Sequence, residues 1–401
     1  MTARIPPRSR TETRAAVLEA MLRNKSLFRQ DIAVLSRLSE ASVSRILAEL
    51  RSAGIITENR ISAPYAGGPT GIIALRKDVG ILGVELSNDR LSLGFGDLAG
   101  GLDYVERLPV NPRMDQASFE RLFSASLREL AIWADSRGRD VRQAAMSLPG
   151  LMPAPGARGG EVNAILPWDM RRLRAFMAEA LGPVPLAMTN SVIAQAAYLR
   201  YRQAQSYPPV GDHLFVFVGN GVAGVVVNEG ATVDTFQPFE LGHMIIDRGG
   251  APCRCGHRGC LEAYTSLRAV AELVGVPPDE IISRGDPFLA TTPLDPDRRA
   301  ALADRLRLLG VGIGNALNLA WLPSVVVCGW PALMPAEDRA AILDGVGESL
   351  LCGGGEDGLR IEFVAPTIGN DPRAALAFAS HAFARSGGTQ APCALAVPAL
   401  H

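Results

Sequence analysis

The chain has 401 residues, 48% of them hydrophobic and 20% charged, which is a globular composition with length for more than one core. Its formal net charge of −1 excludes binding to nucleic acid through bulk charge alone. The balance is nevertheless uneven, because residues 1–60 carry eleven Arg/Lys against six Asp/Glu and leave the remainder acidic. A basic head on an acidic body fits a DNA-binding module fused to a second function. The N-terminus has Arg and Pro but no apolar stretch, so no secretory leader is expected. Of the six cysteines, three fall in one short run, while Cys328, Cys352 and Cys393 are scattered. That is no disulfide framework, and it points to a reducing cytoplasm.

In chain order, Thr13–Arg23 reads as a helix with Val17, Leu18, Met21 and Leu22 on one face, followed by a short helix over Arg29–Leu35. Ser36-Arg37-Leu38-Ser39 forms a turn in which Arg37 needs a positive φ. Ser39 is the expected N-cap of a third helix, Glu40–Ala53, whose Val43, Ile46, Leu47 and Leu50 make a buried stripe, with Gly54 as its stop. Its outward face begins with Ala41, Ser42, Ser44 and Arg45. Small residues let such a helix sit deep in the major groove, the serines meet phosphates or bases, and an arginine forks onto a guanine edge. This is a helix-turn-helix over residues 1–60. Ile55–Thr57 and Ile72–Leu75 supply two strands of a wing that extends to about 75, with Arg60 at its tip and a loop from Pro64 to Gly71.

From Val79 the pattern turns to strands. Ile81–Leu86 and Leu91–Phe95 read as a hairpin, followed by a helix over Phe119–Arg137 and a strand over Gln143–Leu148. Leu186–Met188 is a strand that leads into a helix over Ser191–Arg202, and His213–Val218 with Val225–Asn228 forms a second hairpin. Gly219-Asn220-Gly221-Val222-Ala223-Gly224 matches a dinucleotide fingerprint, but Val225–Val227 continue as strand where a helix is required, so the Rossmann reading fails. Leu308–Ala336 carries no charge, yet its glycines, asparagines and Pro323 mark a buried helix and a buried strand, Ser324–Cys328, rather than a membrane span. Two α/β halves that each open with a hairpin suggest a two-lobed body with a cleft.

The densest chemical signal is Cys253-Arg254-Cys255-Gly256-His257-Arg258-Gly259-Cys260-Leu261-Glu262, with Glu240-Leu241-Gly242-His243 just upstream. Three thiols and one imidazole make a complete tetrahedral set for Zn²⁺: His243, Cys253, Cys255 and Cys260. Gly256 and Gly259 let the chain wrap tightly, and Glu240 and Glu262 end up beside the metal.

A winged helix ahead of Glu-x-Gly-His and Cys-x-Cys-Gly-x-x-Gly-Cys-x-Glu resembles the ROK family (repressors, open reading frames and sugar kinases) from about Thr13 to Ala384. The resemblance implies an α/β, actin/hexokinase-like body over 79–385 preceded by the DNA-binding domain, with 386–401 as a flexible tail. It also implies a structural zinc and a bound sugar. Carried over by position, the sugar ligands are Asn190, Glu240, His243 and Glu262. Carboxylates that each accept two bonds suit sugar hydroxyls, and His243 can serve the metal and a hydroxyl through different nitrogens.

The resemblance also shows damage. Sugar-phosphorylating members carry Asp-x-Gly-Gly-Thr after the first strand, where this chain reads Glu85-Leu86-Ser87-Asn88-Asp89. Glycines that let backbone N–H groups approach phosphate are gone, and Asp89 repels it. The catalytic Asp that follows Asn in such members is Ser191 here, and a lone serine is no general base at neutral pH. A second phosphate loop, usually Gly-Thr-Gly, reads Gly219-Asn220-Gly221. In the wing, Gly67-Gly68-Pro69 stands where regulators often carry Gly-Arg-Pro. The resemblance therefore implies a sugar-responsive transcriptional regulator without catalytic residues, a repressor by expectation. It would bind operator DNA as a homodimer or higher homo-oligomer and take a sugar or sugar derivative as effector. The alternatives are an ATP-dependent sugar kinase fused to a DNA-binding head, and a zinc-stabilised sugar-binding scaffold acting through protein partners.

Overall fold

The computed structural model describes residues 9–61, 70–87, 90–110, 114–150, 168–202, 211–228, 233–275, 294–351, 358–365 and 372–391. Packing divides the chain into one unit of Met1–Tyr207 with Asn370–His401 and a second of Pro208–Gly369.

The head opens with α1 (Arg10–Asn24), which starts three residues before the expected point. Ser9 and Glu12 form a reciprocal capping box there and satisfy two otherwise orphaned N–H groups. α2 (Arg29–Ser36) ends at Arg37, which has φ 55° and ψ 43°, so the turn does place an arginine in the left-handed region. Ser39 then caps α3 (Glu40–Ser52) through the Ser42 N–H. Val17, Leu18, Met21, Ile32, Val43, Ile46, Leu47 and Leu50 are all buried, so the apolar stripes of the first and third helices form the core, whereas Leu35, expected to be buried with Ile32 on the short second helix, is exposed. The wing differs from expectation. β1 (Ser26–Phe28), β2 (Ile56–Ile61) and β3 (Thr70–Leu75) form a three-stranded antiparallel sheet in the order β1-β3-β2, not a two-stranded ribbon. The added strand is only three residues long, too short for an alternating pattern to declare itself.

The rest of the first unit is built on β4 (Gly80–Leu86), β5 (Arg90–Asp97), β6 (Leu102–Pro109), β7 (Val141–Leu148) and β8 (Leu186–Asn190). They run in the order β6-β5-β4-β7-β8, with β4, β5 and β6 antiparallel and β7 and β8 parallel to β4. α4 (Gln116–Asp135) and α5 (Met170–Leu181) bury Phe119, Phe123, Leu173 and Met177 with Phe95 of β5 in one apolar cluster. α6 (Ser191–Arg202) and the C-terminal helix Arg373–Arg385 pack on each other, and the latter also lies against β4 and β7. β6 and α5 were not anticipated. β6 alternates half-buried and exposed residues of mixed polarity, Asp103 and Glu106 among them, which masks its period.

The second unit repeats the plan with β9 (His213–Val218), β10 (Val222–Val227), β11 (Gln237–Phe239), β12 (Ser324–Gly329) and β13 (Arg360–Val364) in the order β11-β10-β9-β12-β13. Again the first three strands are antiparallel and the last two parallel. The same five-strand order in both units is the actin/hexokinase-like arrangement expected of the body. The charge-free stretch resolves into the second half of the helix Pro296–Leu319 and the strand β12. Its glycines have a packing reason: a Cβ on Gly310 would lie 2.1 Å from the Ile342 carbonyl oxygen of the helix Ala336–Ser349. Only glycine permits so close a crossing. Among the described residues, no helix is long and apolar enough to cross a membrane.

Of the tail expected from 386, residues 386–391 make defined contacts, with the Gly387 carbonyl accepting from Arg14 Nε at 2.7 Å and Gln390 bonding Gln143 at 3.1 Å. Residues 392–401 lie outside the described residues.

Candidate functional site

In the second unit the β9–β10 turn, Gly219–Gly221, lies at the carboxyl end of β9. Ligands collect at such strand ends in α/β sheets. The carboxylate of Glu262 reaches this turn, and its Oε2 accepts from the Val222 N–H at 3.0 Å. The same carboxylate leaves Gly221 little lateral room, since a Cβ there would sit 3.2 Å from Oε2. Gly242 packs against the same strand, with an added Cβ only 2.4 Å from the Val222 carbonyl oxygen. This approach fixes the single turn Leu241–His243 and its flanking Glu240 beside Glu262. Burial raises the Glu240 carboxyl above its ordinary value, with Glu262 adding to the rise and His243 opposing it.

One residue at this site, Arg254, was given no role by sequence reasoning, and another, Asn220, was read as the middle of an altered phosphate loop. Arg254 places NH2 3.6 Å from Glu262 Oε1 and 3.3 Å from the Asn220 carbonyl oxygen. It thus balances part of the acid pair's charge. The Asn220 side-chain oxygen is buried and has no partner among the described residues, so the turn holds an unspent acceptor. Only the folded turn brings these two residues to Glu262.

His243, Cys253, Cys255 and Cys260 come together with one ligand atom each, all within 4.8 Å of one another. Cys255 and Cys260 Sγ are 3.7 Å apart, and Cys253 Sγ is 3.6 Å from His243 Nδ1. A tetrahedron with metal–sulfur bonds of about 2.3 Å has edges of about 3.8 Å, so the donor set fits a four-coordinate ion with no open position. His243 Nδ1 faces the sulfurs, while Nε2 faces Glu240 Oε2 at 3.7 Å. The imidazole accordingly stands between the sulfur cluster and the acid pair. The backbone N–H of His257 and its side chain bring the Cys255 thiol down to about 6. Burial pushes Cys260 up to about 12 and raises Cys253 as well. Of the three thiols only Cys255 ionises readily by itself, so a metal bound here would have to displace the protons of Cys253 and Cys260.

The loop around the cluster has almost no core of its own, since no residue from 245 to 258 is buried. Its order rests on backbone bonds such as Ile246 N–H to Gly259 O at 2.9 Å and Cys253 N–H to His257 O at 2.9 Å. The Tyr264 hydroxyl also donates to Asp247 at 2.7 Å. Gly259, with φ 77°, would bring a Cβ within 1.6 Å of the Asp247 carbonyl oxygen, so the wrap admits no side chain there.

In the first unit Asn190 lies at the carboxyl end of β8 and holds the first turn of α6. Its Oδ1 accepts from the Val192 N–H at 2.7 Å, and its Nδ2 donates to the Gly150 carbonyl. The Ser191 hydroxyl stands 3.4 Å from that of Ser147. Ser87 is turned into its own hairpin, with its N–H and hydroxyl on the Arg90 carbonyl at 2.8 and 3.2 Å. Asn88 and Asp89 lie outside the described residues, as do Gly67-Gly68-Pro69 of the wing.

On the head, Ala41 and Arg45 are exposed and Ser42 and Ser44 half-exposed at the start of α3, opposite its buried stripe. The Ser42 hydroxyl is engaged with that of Ser39 at 3.0 Å, within the helix cap. Arg60 sits on β2, paired with Gly71, and its side chain lies outside the description.

The sequence pattern of the ROK family matches residues 82–338. The xylose repressor of Caldicellulosiruptor bescii is 23% identical over 335 residues, covering 78% of this chain and 81% of that protein. The DNA-binding transcriptional repressor Mlc of Escherichia coli K12 is 23% identical over 328 residues, covering 77% and 78%. Among solved structures, a ROK family transcriptional regulator described as a homologue of the E. coli Mlc protein matches with a TM-score of 0.71 at 19% identity, covering 94% of this chain and 97% of that one. With its duplicated five-strand order, its Cys₃His cluster and a family pattern spanning most of its body, this chain belongs to the ROK family.

Proposed function

We propose that the protein is a sugar-responsive DNA-binding repressor whose kinase-like body senses a sugar or sugar derivative without phosphorylating it. One pairing carries the reading: the chain joins an exposed recognition-helix start, Ala41 to Arg45, to a body with Ser191 where sugar-phosphorylating members place an aspartate. Among the described residues, the Ser191 hydroxyl lies 3.4 Å from the Ser147 hydroxyl, which is no general base. The repressor names of its relatives support the same direction.

In this reading Glu240, Glu262 and the outer face of His243 hold the sugar hydroxyls, and Asn190 is kept as a sugar ligand on the family resemblance. Ala41, Ser42, Ser44, Arg45 and Arg60 meet DNA, bound as a homodimer or higher homo-oligomer. The Cys₃His cluster takes Zn²⁺, the ion that best matches three thiolates and an imidazole in a closed tetrahedron, and it serves structure rather than catalysis. A reducing cytoplasm keeps those thiols available.

The test pairs a thermal-shift screen of aldoses, N-acetylated hexosamines and sugar phosphates with an ATP-turnover assay on the same protein. The expected result is stabilisation by at least one sugar and no sugar-dependent ATP consumption. Robust turnover would establish the kinase reading instead.

A further inference from the structure

The first unit contains a buried polar junction that neither DNA contact nor sugar binding explains. Glu19 of α1, in the head, receives the Tyr201 hydroxyl at 2.7 Å on one carboxylate oxygen and faces His381 Nδ1 at 2.6 Å with the other. Tyr201 Oη and His381 Nδ1 are themselves 3.1 Å apart. Tyr201 belongs to α6 and His381 to the C-terminal helix, and His381 is 0% exposed. A carboxylate so enclosed is held by charge-assisted, directional bonds, and losing a partner leaves it unsatisfied.

The position of Tyr201 gives the junction its meaning. α6 is 12 residues long, about 18 Å at 1.5 Å per residue. Asn190 caps its first turn, and Tyr201 is its penultimate residue. A rigid helix of this length links the Asn190 cap at one end to the Glu19 contact at the other. From α1 the connection continues. Arg14 donates through NH1 to Glu49 of α3 at 2.9 Å and through Nε to the Gly387 carbonyl, just beyond the C-terminal helix. The bonds from Arg14 and Arg10 outweigh burial and hold the Glu49 carboxyl below its ordinary value.

We infer that α6, through the Glu19–Tyr201–His381 junction, transmits occupancy at Asn190 to the recognition helix. This rests on the proposed role of Asn190 as a sugar ligand and adds the route by which the head responds. Tyr201 is a positioning residue in it, not a ligand.

The test is a hydrogen-exchange double-mutant cycle on the full chain, with Asn190→Ala, Tyr201→Phe and the pair, and with the helix Pro296–Leu319 as internal reference for global opening. Asn190→Ala is expected to speed exchange of the α1 amides at least threefold relative to the reference when Tyr201 is present. In the Tyr201→Phe background it should add less than a 1.5-fold change. An equal effect of Asn190→Ala in both backgrounds, or none on α1 in either, would overturn the inference. Should Tyr201→Phe fail to fold, Glu19→Gln takes its place in the cycle, since it keeps the size of the acceptor and removes its charge. No sugar enters the cycle. An error in the role of Asn190 would appear separately, as a sugar-induced melting shift unchanged by Asn190→Ala.

Discussion

Replacing Cys260 with serine is expected to strip the protein of its metal and lower its melting midpoint by roughly 10 °C, the shift that several kcal/mol produce in a domain of this size. The reason is the composition of the loop around the cluster. With no buried residue between 245 and 258, it has no apolar core to fall back on, and the proposed ion would stand in for one. Structural zinc supplies about 10–16 kcal/mol in small modules, comparable to the whole stability of a domain. Cys260 is the fully buried member of the set, so its loss cannot be made good by solvent. Elemental analysis should find one metal per chain in the unaltered protein, resistant to mild chelation, and none in Cys260→Ser. A variant that lost the ion yet melted at the original temperature would show that the loop is held by its backbone bonds alone.

The second large effect is expected at Glu262. Glu262→Ala should weaken sugar binding about 100-fold, as the loss of one or two hydrogen bonds to a charged acceptor implies, and abolish the sugar's effect on DNA binding. Affinity for DNA without sugar should stay within about twofold, because the turn that Glu262 braces belongs to a different unit from the head. The carboxylate has two tasks, since Oε2 fixes the Val222 N–H and Oε1 faces Arg254. Glu262→Gln separates them, because an amide oxygen can keep the backbone bond while the charge is lost. Metal content should be unchanged in both variants. A fall in bound metal with Glu262→Ala would assign the residue to support of the cluster rather than to the sugar.

Much of this architecture was legible in the sequence, for identifiable reasons. The three head helices announced themselves through 3.6-residue stripes and through Ser39 as a cap, and all three formed. The Cys-x-Cys-Gly-x-x-Gly-Cys run declared its cluster because thiols at that spacing have few other uses, and the fold brings His243 to it. Elements whose pattern is weak went unread. β1 is three residues long, and β6 mixes charges into a half-buried strand. Residues recruited by tertiary approach were equally invisible. Arg254 was given no role between its two cysteines, and Tyr201 and His381 are separated from Glu19 by 182 and 362 residues. Their meaning lies in which helices meet, which no local window contains.

The fold alone does not separate regulator from kinase, since ROK members of both kinds share the body. The proposed distinction rests on Ser191, on Glu85-Leu86-Ser87-Asn88-Asp89 at the expected phosphate loop and on the head. The most direct measurement is selection of duplexes from a random pool by the full-length protein, followed by titration of the winner over a range of salt with and without the sugar that raises the melting midpoint. The account predicts a single preferred sequence, affinity that falls steeply with salt, and release when the sugar is added. Recovery of no preferred sequence at low ionic strength, or a selected duplex whose affinity the sugar leaves unchanged, would contradict it.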